Sequence, residues 1–72
     1  MFKRYAVSWA GGPPSGGFAT ADTLREAIAF ARNNKGHLDG PVLLLGTIGR
    51  GAYSDRAISA YARKRFAAAL RP

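Results

Sequence analysis

Three glycine-rich breaks limit this chain to short segments of regular structure. They are Gly11–Gly17, which contains two prolines, the Gly40-Pro41 pair, and the stretch Gly46–Gly51. Glycine loses the most entropy on ordering and proline removes a backbone donor, so none of the breaks favours a helix or strand interior. The chain has 72 residues and no cysteine, so burial in one core must stabilise it. We predict a single domain over residues 1–72 with a flexible loop at 11–17.

The first half of the chain shows a strand pattern and then a helix pattern. Residues 2–10 alternate, with Tyr5, Val7 and Trp9 on one face, which predicts a half-buried strand. This apolar face favours core packing over an exposed base-stacking platform. A short returning strand at Phe18-Ala19-Thr20 would make the loop a wide hairpin. Thr23 and Glu26 form a capping box, so a helix is expected to begin there, and Gly36 is expected to end it in the left-handed conformation.

The second half predicts one strand and one helix. Val42–Leu45 is apolar on both faces, which favours a central strand. Gly46–Gly51 follows, and a tight turn between strand and helix is favoured over a phosphate-binding loop because the glycine spacing matches no nucleotide fingerprint. Ser54 then caps a helix over Ser54–Leu70. The order strand, returning strand, helix, strand, helix predicts an α/β fold of the α+β type, a small two-layer sandwich with both helices on one sheet face.

The last predicted helix has one apolar side and one cationic side. At 100° per residue, its apolar arc comprises Ile58, Tyr61, Ala62, Phe66, Ala69 and Leu70. The opposite side carries Arg56, Arg63, Lys64 and Arg71. Arg65 falls within the apolar arc near Ile58, where we expect its stem to pack and its charged end to reach water.

The chain has few acids to neutralise its cations. Eleven lysines and arginines face four aspartates and glutamates, which gives a net charge of +7. If the two predicted helices lie side by side, their arginines and one loop arginine form one field. The candidate residues for binding a nucleic acid or an acidic partner are Arg25, Arg32, Arg50, Arg56, Arg63, Lys64 and Arg71. Such a single-sign surface attracts polyanions.

Catalytic groups are scarce in this chain. The single histidine, His37, lies with Asp39 in a polar turn, where no rigid shell would hold a catalytic pair. Each of the four carboxylates has a structural explanation as a helix cap, a helix-dipole partner or a turn residue. We therefore expect no enzymatic activity, no metal site and no cofactor.

These observations favour a small module that contacts the phosphate backbone of DNA or RNA with little base specificity. The alternative is a protein-binding regulator or inhibitor that docks on an acidic or nucleic-acid-facing surface of a nucleic-acid enzyme or ribonucleoprotein, because such a surface attracts the same cations. No segment is long and apolar enough to cross a bilayer, so no membrane partner is expected. The lack of cysteine and of an export signal favours the cytoplasm.

Overall fold

The structure, a computed structural model, describes residues 3–11 and 16–71. The elements are β1 (Tyr5–Trp9), β2 (Gly17–Ala21), α1 (Leu24–Asn33), a 3-10 helix (Lys35–His37), β3 (Val42–Gly49), β4 (Ala52–Ser54), a second 3-10 helix (Asp55–Ala57) and α2 (Ala60–Ala69). The loop predicted at 11–17 falls mainly on residues 12–15, which lie outside the described residues.

One antiparallel sheet holds the fold together. Its strand order is β2-β1-β3-β4, and the central strands pair with Val7 opposite Leu44. The returning strand after the loop is confirmed as β2, and β4 is an additional strand that the sequence did not predict. The small α+β fold predicted from the sequence is confirmed.

The core lies between one sheet face and the two helices. The sheet contributes Val7, Ala21 and Leu44, and the helices contribute Ala27, Ala31, Ala62 and Phe66. Trp9 packs against Phe30 with ring centroids 5.7 Å apart, and a Cβ added at Gly17 would overlap its indole. Tyr5 and Trp9 are partly buried against this core, so the core interpretation of the β1 aromatics is confirmed. The small alanines of both helices allow close packing on the sheet.

Two aromatic rings reach across the other sheet face. Phe18 on β2 and Tyr53 on β4 meet edge to face, with ring centroids 5.4 Å apart. The hydroxyl of Tyr53 also donates to the carbonyl oxygen of Lys3 at 2.8 Å. Because β1 and β3 lie between those strands, the rings extend over the central strands, where Ala6 and Ser8 are buried. Small residues on the central strand leave room for this arrangement.

The end of α1 differs from the prediction. The helix ends at Asn33, and Asn34 serves as its C-cap with φ −114°. The side-chain amide of Asn34 donates to the carbonyl oxygen of Phe30 at 2.8 Å. Gly36 lies in the following 3-10 helix without a positive φ, so the predicted left-handed terminus is wrong. A side-chain amide satisfies the terminal carbonyl here, and glycine is not needed for that.

The glycine-rich stretch connects two strands. β3 continues through Gly46 to Gly49, and the chain turns at Arg50 and Gly51, whose φ angles are 53° and 79°. The predicted turn between a strand and a helix is therefore wrong, because the turn joins β3 to another strand, β4. A phosphate loop would need a helix N-terminus directly after the glycines, and the structure has a hairpin there.

The last helix begins later than predicted. Ser54 ends β4, and its hydroxyl accepts from the amide of Arg56 in the 3-10 helix at 3.1 Å. Ser59 is the N-cap of α2, because its hydroxyl accepts from the amide of Ala62 at 3.1 Å. The predicted start at Ser54 is wrong because residues 52–54 pair with β3 and cannot also be helical.

Candidate nucleic-acid interface

The helices present most of the candidate cations in one layer. α1 and α2 contact each other and cover the same sheet face, so their outward residues belong to one surface. Arg25 and Arg32 are exposed on α1, Lys64 is exposed on α2, and Arg71 is exposed directly after α2. We call these four residues, together with Arg65, the helical cation surface.

Arg63 lies on a flank of α2. Its Nη2 donates to the backbone carbonyl oxygen of Asp55 at 2.7 Å. It also lines a groove together with Phe66 and Leu70, which face inward from the same helix. Arg63 therefore joins α2 to the preceding 3-10 helix. The sequence predicts it on the outward side of α2 with Lys64, but its side chain lies on the flank of the helix.

Two candidate arginines lie outside the helices. Arg56 is exposed in the 3-10 helix before α2, and Arg50 is exposed in the turn after β3. Val42 and Leu70 line the same groove, so the end of α2 lies beside the start of β3. The seven steps from Val42 to Gly49 span roughly 23 Å at about 3.3 Å per residue. Arg50 and Arg71 thus lie at opposite ends of β3.

Tyr61 and Arg65 form an exposed pair, although helical periodicity predicts both within the apolar arc. Tyr61 is 67% exposed, and Nη1 of Arg65 donates to its hydroxyl at 3.1 Å. The Arg65 guanidinium carbon lies 5.7 Å from the ring centroid, within cation–π range. The predicted position of Tyr61 in the apolar arc is wrong, because Ile58 precedes α2 and counting it as helical turned the apparent arc toward Tyr61. The charged end of Arg65 is exposed, as expected.

The acids leave these cations unneutralised. Every lysine and arginine of the chain is exposed. Within residues 3–11 and 16–71, no hydrogen bond joins an arginine or lysine to a carboxylate. Glu26 is the one acid on either helix, and its backbone amide donates to the Thr23 hydroxyl at 3.1 Å, which is the first half of the predicted capping box. The second half is not formed: the Glu26 carboxylate accepts from the Thr23 hydroxyl at 3.4 Å and not from the Thr23 amide. The surface therefore keeps its positive sign.

The described residues contain few other candidates for chemistry. His37 is exposed in the first 3-10 helix, and its side chain makes no hydrogen bond with Asp39. Residues 3–11 and 16–71 hold no group of three histidine, cysteine or acidic side chains close enough to share a metal ion. In the same ranges, neither helix is long and apolar enough to cross a membrane.

Similarity to known proteins adds no functional information. The chain matches no protein-family model, no curated protein and no solved structure.

Proposed function

We propose that this protein binds the phosphate backbone of nucleic acid through the helical cation surface, with little base specificity. The observation that carries the proposal is the charge of the helical layer: α1, α2 and Arg71 hold six cationic residues and one acidic residue. Such a surface lowers the free energy of phosphate binding mainly by releasing condensed counterions.

The surface contains donors for phosphate and no evident set that reads base edges. Arginine and lysine heads at the ends of flexible stems position a backbone but do not by themselves select a sequence. Tyr61 adds an exposed aromatic ring beside Arg65. Unpaired bases stack on such rings, whereas bases inside a duplex are already stacked. We therefore infer tighter binding to single strands than to duplex at equal length.

The decisive measurement is binding as a function of salt. Labelled duplex and single-stranded DNA and RNA of scrambled sequence are titrated with the protein between about 50 and 200 mM salt. Five phosphate contacts predict a slope of about −4 to −5 for log affinity against log salt on duplex. Absence of binding at the lowest salt would contradict the proposal and favour the alternative, an acidic protein surface.

A matched pair of double variants locates the surface. Arg32→Gln with Lys64→Gln removes one arginine and one lysine from the helices, and should reduce the magnitude of the salt slope by about 2. Lys3→Gln with Arg4→Gln removes the same charges from the chain before β1 and should leave the slope unchanged. Equal losses in the two variants would show that net charge acts without a defined surface.

Substitutions at Tyr61 distinguish the contribution of base stacking to binding from that of charge. Tyr61→Ala should weaken single-strand binding about tenfold and leave duplex binding nearly unchanged. Tyr61→Phe keeps the ring and loses the hydroxyl, so it should behave like the parent protein. An equal loss on duplex and single strand for Tyr61→Ala would exclude stacking.

A further inference from the structure

The hairpin formed by β3 and β4 ends in a two-residue turn that holds an arginine in an unfavourable conformation. Gly49 pairs with Ala52, and the two residues between them, Arg50 and Gly51, have φ angles of 53° and 79°. Positive φ at both central residues is the mark of a type I′ turn, whose favoured first residue is asparagine, aspartate or glycine. A residue with a long side chain loses free energy in this left-handed region. The turn would therefore be more stable without an arginine at position 50.

No contact found in the described part of the chain compensates for this conformation. Arg50 is the only charged residue in 40–54, so no acid lies near it along the chain. Its side chain is exposed, and the arginine side-chain hydrogen bonds within the described residues belong to Arg63 and Arg65. A residue that conflicts with its local backbone and gains nothing from the fold is typical of a functional position.

The side chain beside this turn also projects outward. Ile48 lies in the bulge of β3, between Thr47 and Gly49. It is 64% exposed, more than any other large aliphatic side chain in the described part of the chain. The Thr47 hydroxyl fixes the bulge, because it accepts from the Gly49 amide at 3.1 Å and donates to the Ala52 carbonyl oxygen at 3.4 Å. Bulges commonly re-aim a side chain near a functional site. Ile48 and Arg50 therefore project together from a hairpin end whose backbone is held by hydrogen bonds.

The chemistry of this hairpin end fits the minor groove of DNA. Gly49 and Gly51 flank Arg50 without side chains, so the backbone of the tip can approach a nucleic acid closely while the guanidinium extends ahead of it. The minor groove of B-form DNA is about 6 Å wide, and its negative potential, which attracts arginine, is strongest where A·T tracts narrow it. Proteins that bind there combine arginine with an exposed apolar side chain such as isoleucine.

We propose that the hairpin of β3 and β4 inserts Arg50 into the minor groove of duplex DNA, with Ile48 against the groove wall. The contact rests on the proposed function, because one arginine binds weakly and the helical cation surface supplies the phosphate contacts. The hairpin adds a preference for narrow A·T minor grooves to a helical surface that reads no bases.

Three duplexes of equal length locate the contact on the DNA. They contain A·T pairs, G·C pairs, or inosine–cytosine pairs, which combine the minor-groove edge of A·T with the major-groove edge of G·C. The protein should bind the A·T and inosine duplexes at least about threefold more tightly than the G·C duplex. Equal binding of the inosine and G·C duplexes would overturn the proposal and leave salt-dependent binding by the helices intact. Absence of binding to every duplex at about 50 mM salt would overturn both.

Substitution at position 50 separates DNA binding from folding. Arg50→Asn gives the turn a favoured residue, so it should raise the melting temperature while it removes the A·T preference. The matched control is Arg56→Asn, which removes an exposed arginine from the 3-10 helix after β4 and should keep the preference. Equal loss of the preference in both variants would contradict insertion of Arg50. A melting temperature below that of the parent protein would show that Arg50 is structural, and would also overturn the proposal.

The form of the nucleic acid distinguishes groove insertion from one more phosphate contact. Duplex RNA has a wide, shallow minor groove and single-stranded DNA has none, so Arg50→Asn should leave binding to both nearly unchanged. Binding to the A·T duplex should weaken about threefold to tenfold. An equal loss on all three nucleic acids would mean that Arg50 only contacts phosphate, which would overturn the proposal.

The apolar contact is tested at Ile48. Ile48→Thr keeps a β-branched side chain in the bulge and removes its apolar end, so binding to the A·T duplex should weaken about two- to fivefold. The control is Leu43→Thr, which changes another exposed aliphatic residue of β3, 47% exposed, near the opposite end of the strand. This control should bind the duplex as the parent protein does. Equal losses in the two variants would rule out a contact of Ile48 with the groove wall.

Discussion

α1 and α2 are each ten residues long and cover the same sheet face, but the inward side of each helix is specified differently by the sequence. The inward residues of α1, among them Leu24, Ala27 and Ala31, follow one helical face from its first residue, and its cap, Thr23, stands directly before it. α2 packs Ala62 and Phe66 inward, but the apolar residue before it, Ile58, reaches the core from outside the helix. The periodicity of α1 is therefore readable from its sequence, whereas the periodicity around α2 mixes two elements.

This difference matters for the surface as well as the core. The outward side of α1 carries Arg25 and Arg32, as expected from the sequence. The outward side of α2 carries Lys64 as expected, but also Tyr61 and Arg65, while Arg63 turns to the flank. A shift in where a helix begins changes which residues a partner meets.

The largest effect should come from deleting the one large side chain that α2 buries. Phe66 is 4% exposed in the core, so Phe66→Ala should cost about 3–5 kcal/mol, because it loses burial and leaves a cavity. Urea denaturation followed by circular dichroism measures the change. For α1 the matched variant is Phe30→Ala, which should cost less because Phe30 is only partly buried. A larger loss at Phe30 would reverse the comparison between the helices.

A smaller loss is expected where the segment before α2 lies on β3. A Cβ at Gly46 would overlap the backbone carbonyl oxygen of Ala57, and backbone cannot move away as a flexible side chain can. Gly46→Ala should therefore destabilise the fold by about 1–3 kcal/mol, measured by thermal unfolding. The control is Gly36→Ala, where a new Cβ meets nothing within 4 Å. Equal melting temperatures for the two variants would contradict this close approach.

Serine substitutions locate the start of α2. Ser59→Ala removes the cap of a ten-residue helix and should cost about 1 kcal/mol, similar to Thr23→Ala at α1. Ser54→Ala affects only a three-residue 3-10 helix and should cost less. Chemical denaturation of the three variants makes the comparison. If Ser54→Ala were the most damaging, the helix would begin where the sequence alone suggested.

The smallest effect on stability is expected at Tyr61. Its ring is 67% exposed, so Tyr61→Ala should change the free energy of unfolding by no more than about 0.5 kcal/mol. The same ring deletion at Phe66 is the contrast, because both residues lie on α2. A loss of several kcal/mol at Tyr61 would show that this ring faces the core.

The sequence predicted the fold class and the face of α1, but only part of the candidate surface. Capping at Thr23 and the alternation of Tyr5, Val7 and Trp9 are local signals, and the structure contains both features. Arg25, Arg32 and Lys64 follow from helical periodicity wherever the helix is correctly placed. The exposure of Tyr61 could not be predicted, because a single sequence does not show that residues 52–54 pair with β3 and that α2 therefore begins later.

The extent of the pairing between β3 and β4 illustrates the same limit. Four apolar residues at Val42–Leu45 indicate a buried strand, and β3 does lie inside the strand order. How far its neighbour extends depends on β4, whose pairing stops at Gly46. Where this pairing stops is therefore a property of register between distant segments, which local sequence does not encode.

By itself, the sequence determined the positive charge, the capped first helix, the strand pattern of β1 and the need for one small core, because these depend on composition and on neighbours along the chain. Tertiary structure alone decided where α2 begins, that Tyr61 is exposed, and that β4 pairs with only the second half of β3. Each of these depends on which distant segments compete for the same backbone hydrogen bonds and the same apolar surface.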